Sequence, residues 1–129
     1  MTTPAADSPS PALATQRNVL VVEDHEDMRD ALVEILRLEG YRVSWAADGR
    51  QALAEARIHR PDVILLDLLM PEMNGWQFRA EQSKDPELSA VPVIVMSAYA
   101  SDMDAAATLP KPFLIEDMLE TVRHVIRWP

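Results

Sequence analysis

The alternation of short apolar runs with segments of helical period predicts a doubly wound α/β fold. Residues 19–22 are all apolar, which is typical of a strand buried on both faces of a parallel sheet. Residues 26–38 carry apolar side chains at i, i+3, i+4 and i+7 and stop before Gly40, as an amphipathic helix does. Because parallel strands need right-handed crossovers, we expect helices on both faces of a mostly parallel sheet.

The same alternation continues to the end of the chain. It predicts further strands at residues 41–45, 63–66 and 93–96, and further helices at residues 49–58, 76–83 and 114–127. Between Ser97 and Lys111 the chain has room only for a short helix capped by Ser101 and a strand stub ending at Pro110.

Composition divides the chain into a tail and one domain. Residues 1–17 have Pro4, Pro9 and Pro11 among Ala, Ser and Thr, and little that could pack, so we expect a disordered tail. Residues 18–129 can bury one substantial core and are predicted to form a single domain.

Charge and residue usage exclude several classes of function. A formal charge of -9 disfavours direct contact with nucleic acid or anionic lipid. No apolar run approaches the roughly 20 residues of a bilayer span, and the N-terminus lacks an export pattern, so we expect no membrane association and a cytoplasmic location. Without cysteine, any metal should be a hard cation bound by oxygen. The three histidines are predicted to be solvated or capping: His25, His59 and His124.

Acidic residues follow two of the predicted strands. Glu23 and Asp24 end the first and Asp67 ends the third. Sites of doubly wound sheets lie at the carboxyl ends of the strands, and three carboxylates there repel one another unless a cation such as Mg²⁺ neutralises them. The alternative is that Asp24 only caps the first helix and Glu23 is a solvated neighbour. Asp67 argues against it, because a carboxylate after a buried strand is costly unless it has a partner or a task.

A hydroxyl and an ammonium lie near the ends of two further elements. Ser97 ends the fourth strand, and Lys111 precedes Pro112 just before the last helix. Taken singly, a serine at a strand end is usually a structural cap or turn residue, and a lysine is usually a solvated surface charge. Together with a metal-bound carboxylate, they are the groups that phosphoryl transfer to that carboxylate needs.

Four strings carry a resemblance to a known family. VLVVEDHEDMRDAL at residues 19–32, VILLDLLMPEMNGWQF at residues 63–78, Ser97-Ala98 and Lys111-Pro112-Phe113 resemble the receiver domains of bacterial two-component response regulators. The resemblance implies a flavodoxin-like sheet of five parallel strands in the order 2-1-3-4-5. It also implies a cis peptide bond between Lys111 and Pro112.

The resemblance also implies site roles and partners. Asp67 would be the phosphoacceptor, Ser97 the switch hydroxyl and Lys111 the phosphoryl contact. The Mg²⁺ ligands would be Glu23, Asp24, Asp67 and the backbone carbonyl of Leu69. A sensor histidine kinase or phosphotransfer protein would supply the phosphoryl group, and a downstream protein would read the switch. A homodimer is left open, and the domain would be no enzyme beyond its own phosphorylation and dephosphorylation.

The chain departs from the family pattern at two places. Receivers usually have an aromatic residue three positions before the lysine, and Thr108 stands there, which leaves open whether Tyr99 replaces it. The span from Ser97 to Lys111 is also too short for a full helix and a strand. We therefore predict that the family's fourth helix is shortened or missing.

Two rival functions remain to be weighed. A phosphatase that forms an aspartyl phosphate needs a second acid two residues after the nucleophile, and Leu69 stands there. The other rival is a pseudo-receiver that binds proteins without being phosphorylated, which the shortened region after Ser97 makes conceivable.

Overall fold

The computed structural model describes residues 16–70, 72–98 and 103–127. Its strands are β1 (Asn18–Val22), β2 (Arg42–Ala46), β3 (Val63–Asp67), β4 (Val93–Ser97) and β5 (Ala107–Pro110). Its helices are α1 (Glu26–Leu38), α2 (Gly49–His59), α3 (Gly75–Lys84) and α4 (Ile115–Arg127). The strands and the four longer helices predicted from the sequence are confirmed. The bounds predicted for them lie within one residue of the observed bounds.

All five strands are parallel and follow the predicted order β2-β1-β3-β4-β5. The chain builds outward from β1 to β2, returns to β3 on the other side of β1, and then continues outward. Val22 of β1 is paired with Leu66 of β3. The residues that follow this pair therefore lie next to each other at the point where strand order reverses, which is where sites form in such sheets.

The apolar strands contribute to two core layers, one on each face of the sheet. Alternate residues of β1 point to opposite faces, so Val19 and Val21 pack with α1 and α4, whereas Leu20 and Val22 pack with α2 and α3. All four side chains are fully buried. Each such burial stabilises the fold by about 1.5–3 kcal/mol, which explains why these strands lack polar alternation.

The connection from β4 to β5 contains no helix within its described residues, 98 and 103–106. This confirms the prediction of a shortened or missing helix. Ala105, Ala106 and Ala107 favour helix by propensity but do not form one. The backbone N–H of Ala106 instead donates to the carbonyl of Val93 (2.9 Å), and Ala107 is the first residue of β5. The strand ends at Pro110, as predicted. Ser101 and Tyr99 lie outside the described residues.

Side chains from α3 cover part of the sheet beside this connection. Gln82 is fully buried and donates to the carbonyls of Leu88 (2.8 Å) and Val91 (3.1 Å). Arg79 donates to the Gln82 side chain (2.8 Å) and to the carbonyl of Asp104 (2.6 Å). A hydrogen-bonded network thus ties α3 to the segment before β5.

The start of the described chain contacts the fold. Residues 1–15 of the predicted tail lie outside the described residues. Gln16 donates to the carbonyl of Gly40 (2.7 Å), and the carbonyl of Arg17 accepts from the N–H of Arg42 (2.9 Å).

In the described part of the chain, no helix has the length and apolar character needed to cross a membrane.

A close backbone approach fixes the turn that follows β3. The N–H of Gly75 donates to the carbonyl of Leu68 (3.0 Å), and Asn74 and Gln77 form a capping box that starts α3. A Cβ atom on Gly75 would lie 2.8 Å from Cα of Leu68 and 3.0 Å from the carbonyl oxygen of Asp67. Only glycine therefore fits without moving the backbone beside Asp67.

We expect Gly75→Ala to lower the free energy of unfolding by about 1–3 kcal/mol, despite the better helix propensity of alanine, because the added methyl group overpacks rigid backbone. Urea unfolding measures the change. Ser83→Ala, at an exposed position of the same helix, serves as the control and should change stability by less than about 0.5 kcal/mol. Equal stability of Gly75→Ala and the parent would show that the turn is not tightly packed.

Candidate functional site

Three carboxylates meet at the carboxyl ends of β1 and β3. Glu23 follows β1 and is 1% exposed, Asp67 ends β3 and is 6% exposed, and Asp24 is exposed. Each offers one oxygen, and these oxygens lie within 4.8 Å of one another. The adjacency of β1 and β3 brings them together, so the predicted acidic cluster exists in the fold.

The alternative explanation of Asp24 as a helix cap is wrong. The residue that caps α1 is His25, whose Nδ1 accepts from the backbone N–H of Met28 (3.4 Å). His25 thus has the capping role allowed for it from the sequence. Since Asp24 neither caps the helix nor packs in the core, its place beside two buried carboxylates is not explained by local structure.

The ammonium of Lys111 faces both buried carboxylates. Its Nζ lies 2.9 Å from Oε1 of Glu23 and 3.6 Å from Oδ1 of Asp67. The backbone N–H of Lys111 donates to the carbonyl of Ser97 (2.8 Å), and the peptide bond from Lys111 to Pro112 is cis. Lys111 is therefore no isolated surface charge.

The remaining predicted site residues differ in how the structure places them. Ser97 is 5% exposed at the end of β4, next to β3. The N–H of Leu69 donates to Oδ1 of Asp67 (3.4 Å), and the Leu69 side chain is half-exposed. Thr108 is exposed on β5. Tyr99, the proposed substitute for the missing aromatic residue, lies outside the described residues.

One residue that contacts this site was not singled out from the sequence. Arg29 of α1 donates from its guanidinium to the backbone carbonyl of Glu23 (3.5 Å). The sequence did contain a signal for Arg29: it is the fourth residue of α1, and the helix dipole disfavours a cation near a helix N-terminus. An arginine at this position therefore indicates a contact outside the helix.

The donor set fits a hard divalent cation. The described site offers carboxylate oxygens and no sulfur, and Mg²⁺ prefers one or two carboxylates supplemented by carbonyl and water oxygens. Glu23, Asp24 and Asp67 are the residues that could hold it, because their facing oxygens are close enough to share one ion.

A family model described as the response regulator receiver domain matches residues 19–123. The chain belongs to the response regulator receiver domain family. The predicted resemblance is thereby confirmed, and this receiver domain is one of the kind found in two-component signalling.

Relatives and solved structures agree with that membership. Protein PilH of Pseudomonas aeruginosa is 34% identical over 116 residues, which cover 84% of this chain and 96% of PilH. Transcriptional regulatory protein PdtaR of Mycobacterium tuberculosis is 34% identical over an alignment 135 positions long, gaps included, which covers 98% of this chain and 63% of PdtaR. This receiver domain thus spans less than two thirds of the length of PdtaR.

A solved receiver domain shows the same fold with a metal. The receiver domain of the sensor histidine kinase PA1611 from Pseudomonas aeruginosa has a TM-score of 0.80 with 28% identity, covering 87% of this chain and 98% of that one. That structure has a magnesium ion coordinated in its active site cleft.

Burial and like charge shift the protonation equilibria of this receiver site. Burial, and next the charge of Glu23, raise the pKa of Asp67 to about 6, although Lys111 acts in the opposite direction. Burial by itself would lower the pKa of Lys111, but the hydrogen bond and charge of Glu23, with the charge of Asp67, outweigh it and the pKa is raised. Lys111 is therefore a cation at neutral pH, and the acidic cluster carries uncompensated negative charge.

We expect Asp67→Asn to stabilise the metal-free protein at pH 7.5 by about 1–3 kcal/mol. The pKa of Asp67 is about 6 in the folded state against an ordinary value of 3.8. A raised carboxyl pKa means that the folded state binds the proton more tightly, so the Asp67 carboxyl lowers stability as pH rises from about 4 to about 6. The gain from Asn should therefore be largest above pH 6 and small near pH 4.

Urea unfolding in a chelator at both pH values measures this effect. Glu120→Gln replaces an exposed carboxylate outside the cluster and should change stability little at either pH. A loss of stability in Asp67→Asn at pH 7.5 would mean that the ion pair with Lys111 outweighs the carboxylate repulsion.

Proposed function

We propose that this receiver domain accepts a phosphoryl group on Asp67 from a phosphohistidine of a sensor histidine kinase or phosphotransfer protein. In the proposed site Mg²⁺ is held by Glu23, Asp24, Asp67 and the backbone carbonyl of Leu69. One observation carries the proposal: the Lys111 ammonium and the buried Glu23 and Asp67 carboxylates converge at the strand ends. A single ammonium beside three carboxylates leaves the site short of positive charge, as a site that takes up a cation must be.

The reaction forms one bond and breaks one. A carboxylate oxygen of Asp67 attacks phosphorus while the phosphorus–nitrogen bond of the phosphohistidine breaks, and the imidazole nitrogen keeps that electron pair. Mg²⁺, when bound, offsets the negative charge shared by the carboxylates and the phosphoryl oxygens. Lys111 donates to one phosphoryl oxygen and the Ser97 hydroxyl to another. Burial of Asp67 limits the access of water to the new acyl phosphate.

The same contacts supply a switch. A phosphoryl group adds up to about two negative charges and three acceptor oxygens next to Lys111, whose present acceptor is Glu23. The backbone N–H of Lys111 is bonded to the carbonyl of Ser97, so a movement of either residue is transmitted to the other strand end. We therefore propose that phosphorylation shifts the segment after β4 and the start of α4, and that a downstream protein binds the altered surface.

The proposed function also bears on the catalytic scope, the cellular location and the oligomeric state of the domain. The domain would catalyse only its own phosphorylation and dephosphorylation. A cytoplasmic location is proposed because the phosphohistidine donor of a two-component system is presented there. Whether the chain forms a homodimer depends on the surface that the switch exposes.

We expect the full chain to gain one phosphate, seen by intact mass, when it is incubated with a small acyl phosphate donor and Mg²⁺. Asp67→Asn and omission of Mg²⁺ should each abolish the gain, because the acceptor oxygen or the compensating cation is lost. Asp85→Asn removes a carboxylate outside the cluster and should leave the gain unchanged. Acid-labile phosphate on Asp67→Asn would place the acceptor elsewhere.

The rival functions give different results in that assay. A phosphatase would release phosphate continuously and accumulate no modified protein. A pseudo-receiver would stay unmodified although it is folded, and its surface would then bind partners without a switch.

We expect Asp24→Asn to weaken Mg²⁺ binding about tenfold or more while changing metal-free stability by less than about 0.5 kcal/mol. Asp24 is exposed and does not cap α1, so its removal costs the fold little. Asp27→Asn, which removes an exposed carboxylate of the first turn of α1, is the matched control. Titration calorimetry measures the affinity, and equal weakening by both variants would indicate only a loss of overall negative charge.

A further inference from the structure

We propose that Arg29 is a positioning residue of the metal site: its guanidinium, stacked on Trp45, holds the backbone carbonyl of Glu23 and thereby fixes the Glu23-Asp24 pair. This inference rests on the proposed Mg²⁺ site and adds to it a support outside the ligand set. Its basis is a group of contacts that no local helix or core requirement explains.

The contacts of Arg29 join α1, β2 and the turn after β1. Nη1 of Arg29 donates to the carbonyl of Glu23 (3.5 Å). The guanidinium carbon lies 4.3 Å from the centre of the Trp45 ring, which is a cation–π distance. The Arg29 side chain is 11% exposed, so the guanidinium itself is largely shielded from water.

This placement is unfavourable by the usual rules for helices and cores. Arg29 lies near the N-terminus of α1, where the helix dipole disfavours a cation. Its Nε is buried and, among the described residues, has no hydrogen-bond partner, since Oδ1 of Asp30 is 3.9 Å away. A buried unsatisfied donor costs about 1–3 kcal/mol. Arg29 is thus a poor choice for stability alone, which favours a role in positioning.

Both backbone polar groups of Glu23 are tied to the end of β2. Its N–H donates to the carbonyl of Ala46 (3.0 Å), and its carbonyl accepts from Arg29, which stacks on the neighbouring Trp45. The Glu23 carboxylate has other partners: Oε1 accepts from Lys111 and Oε2 from the N–H of His25. A cation would compete with Lys111 for the Glu23 carboxylate, and a phosphoryl group would compete with that carboxylate for Lys111. Neither would compete for the backbone hydrogen bonds of Glu23.

Mg²⁺ makes such backbone ties valuable. Mg²⁺ requires near-octahedral geometry, so a site whose ligands can move by about an angstrom binds it more weakly. Asp24 is exposed, so the direction of its side chain depends mainly on the backbone that Glu23 anchors. Trp45 supplies the stacking surface, and this explains why a large aromatic residue is kept 45% exposed on an edge strand.

The test compares Mg²⁺ affinity in three arginine variants of the full, unphosphorylated chain. We expect Arg29→Ala and Arg29→Lys to raise the Mg²⁺ dissociation constant about 3–10-fold, because lysine keeps the charge but not the planar stacking fork. Arg37→Ala is the matched control, since Arg37 also lies on α1 and donates to a β2 carbonyl, that of Val43 (3.3 Å), away from the acidic cluster. Its affinity should be unchanged.

The sign of the effect separates positioning from charge. Removing a cation near the site would by Coulomb's law tighten Mg²⁺ binding, so unchanged or tighter binding by Arg29→Ala overturns the proposal. Trp45→Phe should retain most of the affinity and Trp45→Ala should lose it to the same extent as Arg29→Ala. The double variant should be no weaker than either single one, because the pair acts as a unit.

A metal-free measurement keeps the inference apart from the proposed function. In a chelator, the amide protons of Glu23 and His25 should exchange with solvent several-fold faster in Arg29→Ala than in Arg37→Ala of similar stability. Equal exchange in the two variants would overturn positioning by Arg29. If the parent protein binds no Mg²⁺ at all, the proposed function fails, and the exchange comparison still decides whether Arg29 holds the turn.

Discussion

Repulsion between two buried carboxylates, Glu23 and Asp67, constrains the whole carboxyl edge of the sheet. They lie side by side because β1 and β3 are neighbours, and burial leaves little water to screen them. Lys111 approaches both and compensates part of the charge, and Asp24 adds more negative charge at the rim. The metal-free site therefore carries uncompensated negative charge, and burial, followed by the charge of Glu23, raises the pKa of Asp67.

The same electrostatic imbalance connects chemistry to conformation. The Lys111 ammonium contacts the carboxylates of Glu23 and Asp67, and its backbone N–H donates to the carbonyl of Ser97. One residue therefore contacts Asp67 and also links the ends of β4 and β5. Arg79 of α3, which also donates to Gln82, donates to the carbonyl of Asp104 in the segment between those strands. In the proposed switch, a change of charge at Asp67 would act on the segment between β4 and β5, which has no helix within its described residues.

The fold and the clustering of the acidic residues could be predicted from local sequence. Wholly apolar runs identify strands buried on both faces, and helical periods identify the helices that cover them. The crossover rule then places Glu23, Asp24 and Asp67 at one edge. The sequence left open whether Asp24 caps α1, because Asp24 and His25 can both cap a helix and only the backbone geometry at residue 25 selects His25. It predicted a strand ending at Pro110 but not its start at Ala107, where pairing with β4 overrides the preference of alanine for helix.

The sequence by itself determined which residues could form strands, helices and an acidic edge of the sheet, because these depend on short-range periodicity and on residue chemistry. The tertiary structure alone decided the partners: Lys111 with Glu23, 88 positions away, and Arg29 with both Trp45 and the carbonyl of Glu23. Such pairs join different elements, so they depend on strand register and helix packing. Those are set by the burial of the entire core and leave no local pattern in the sequence.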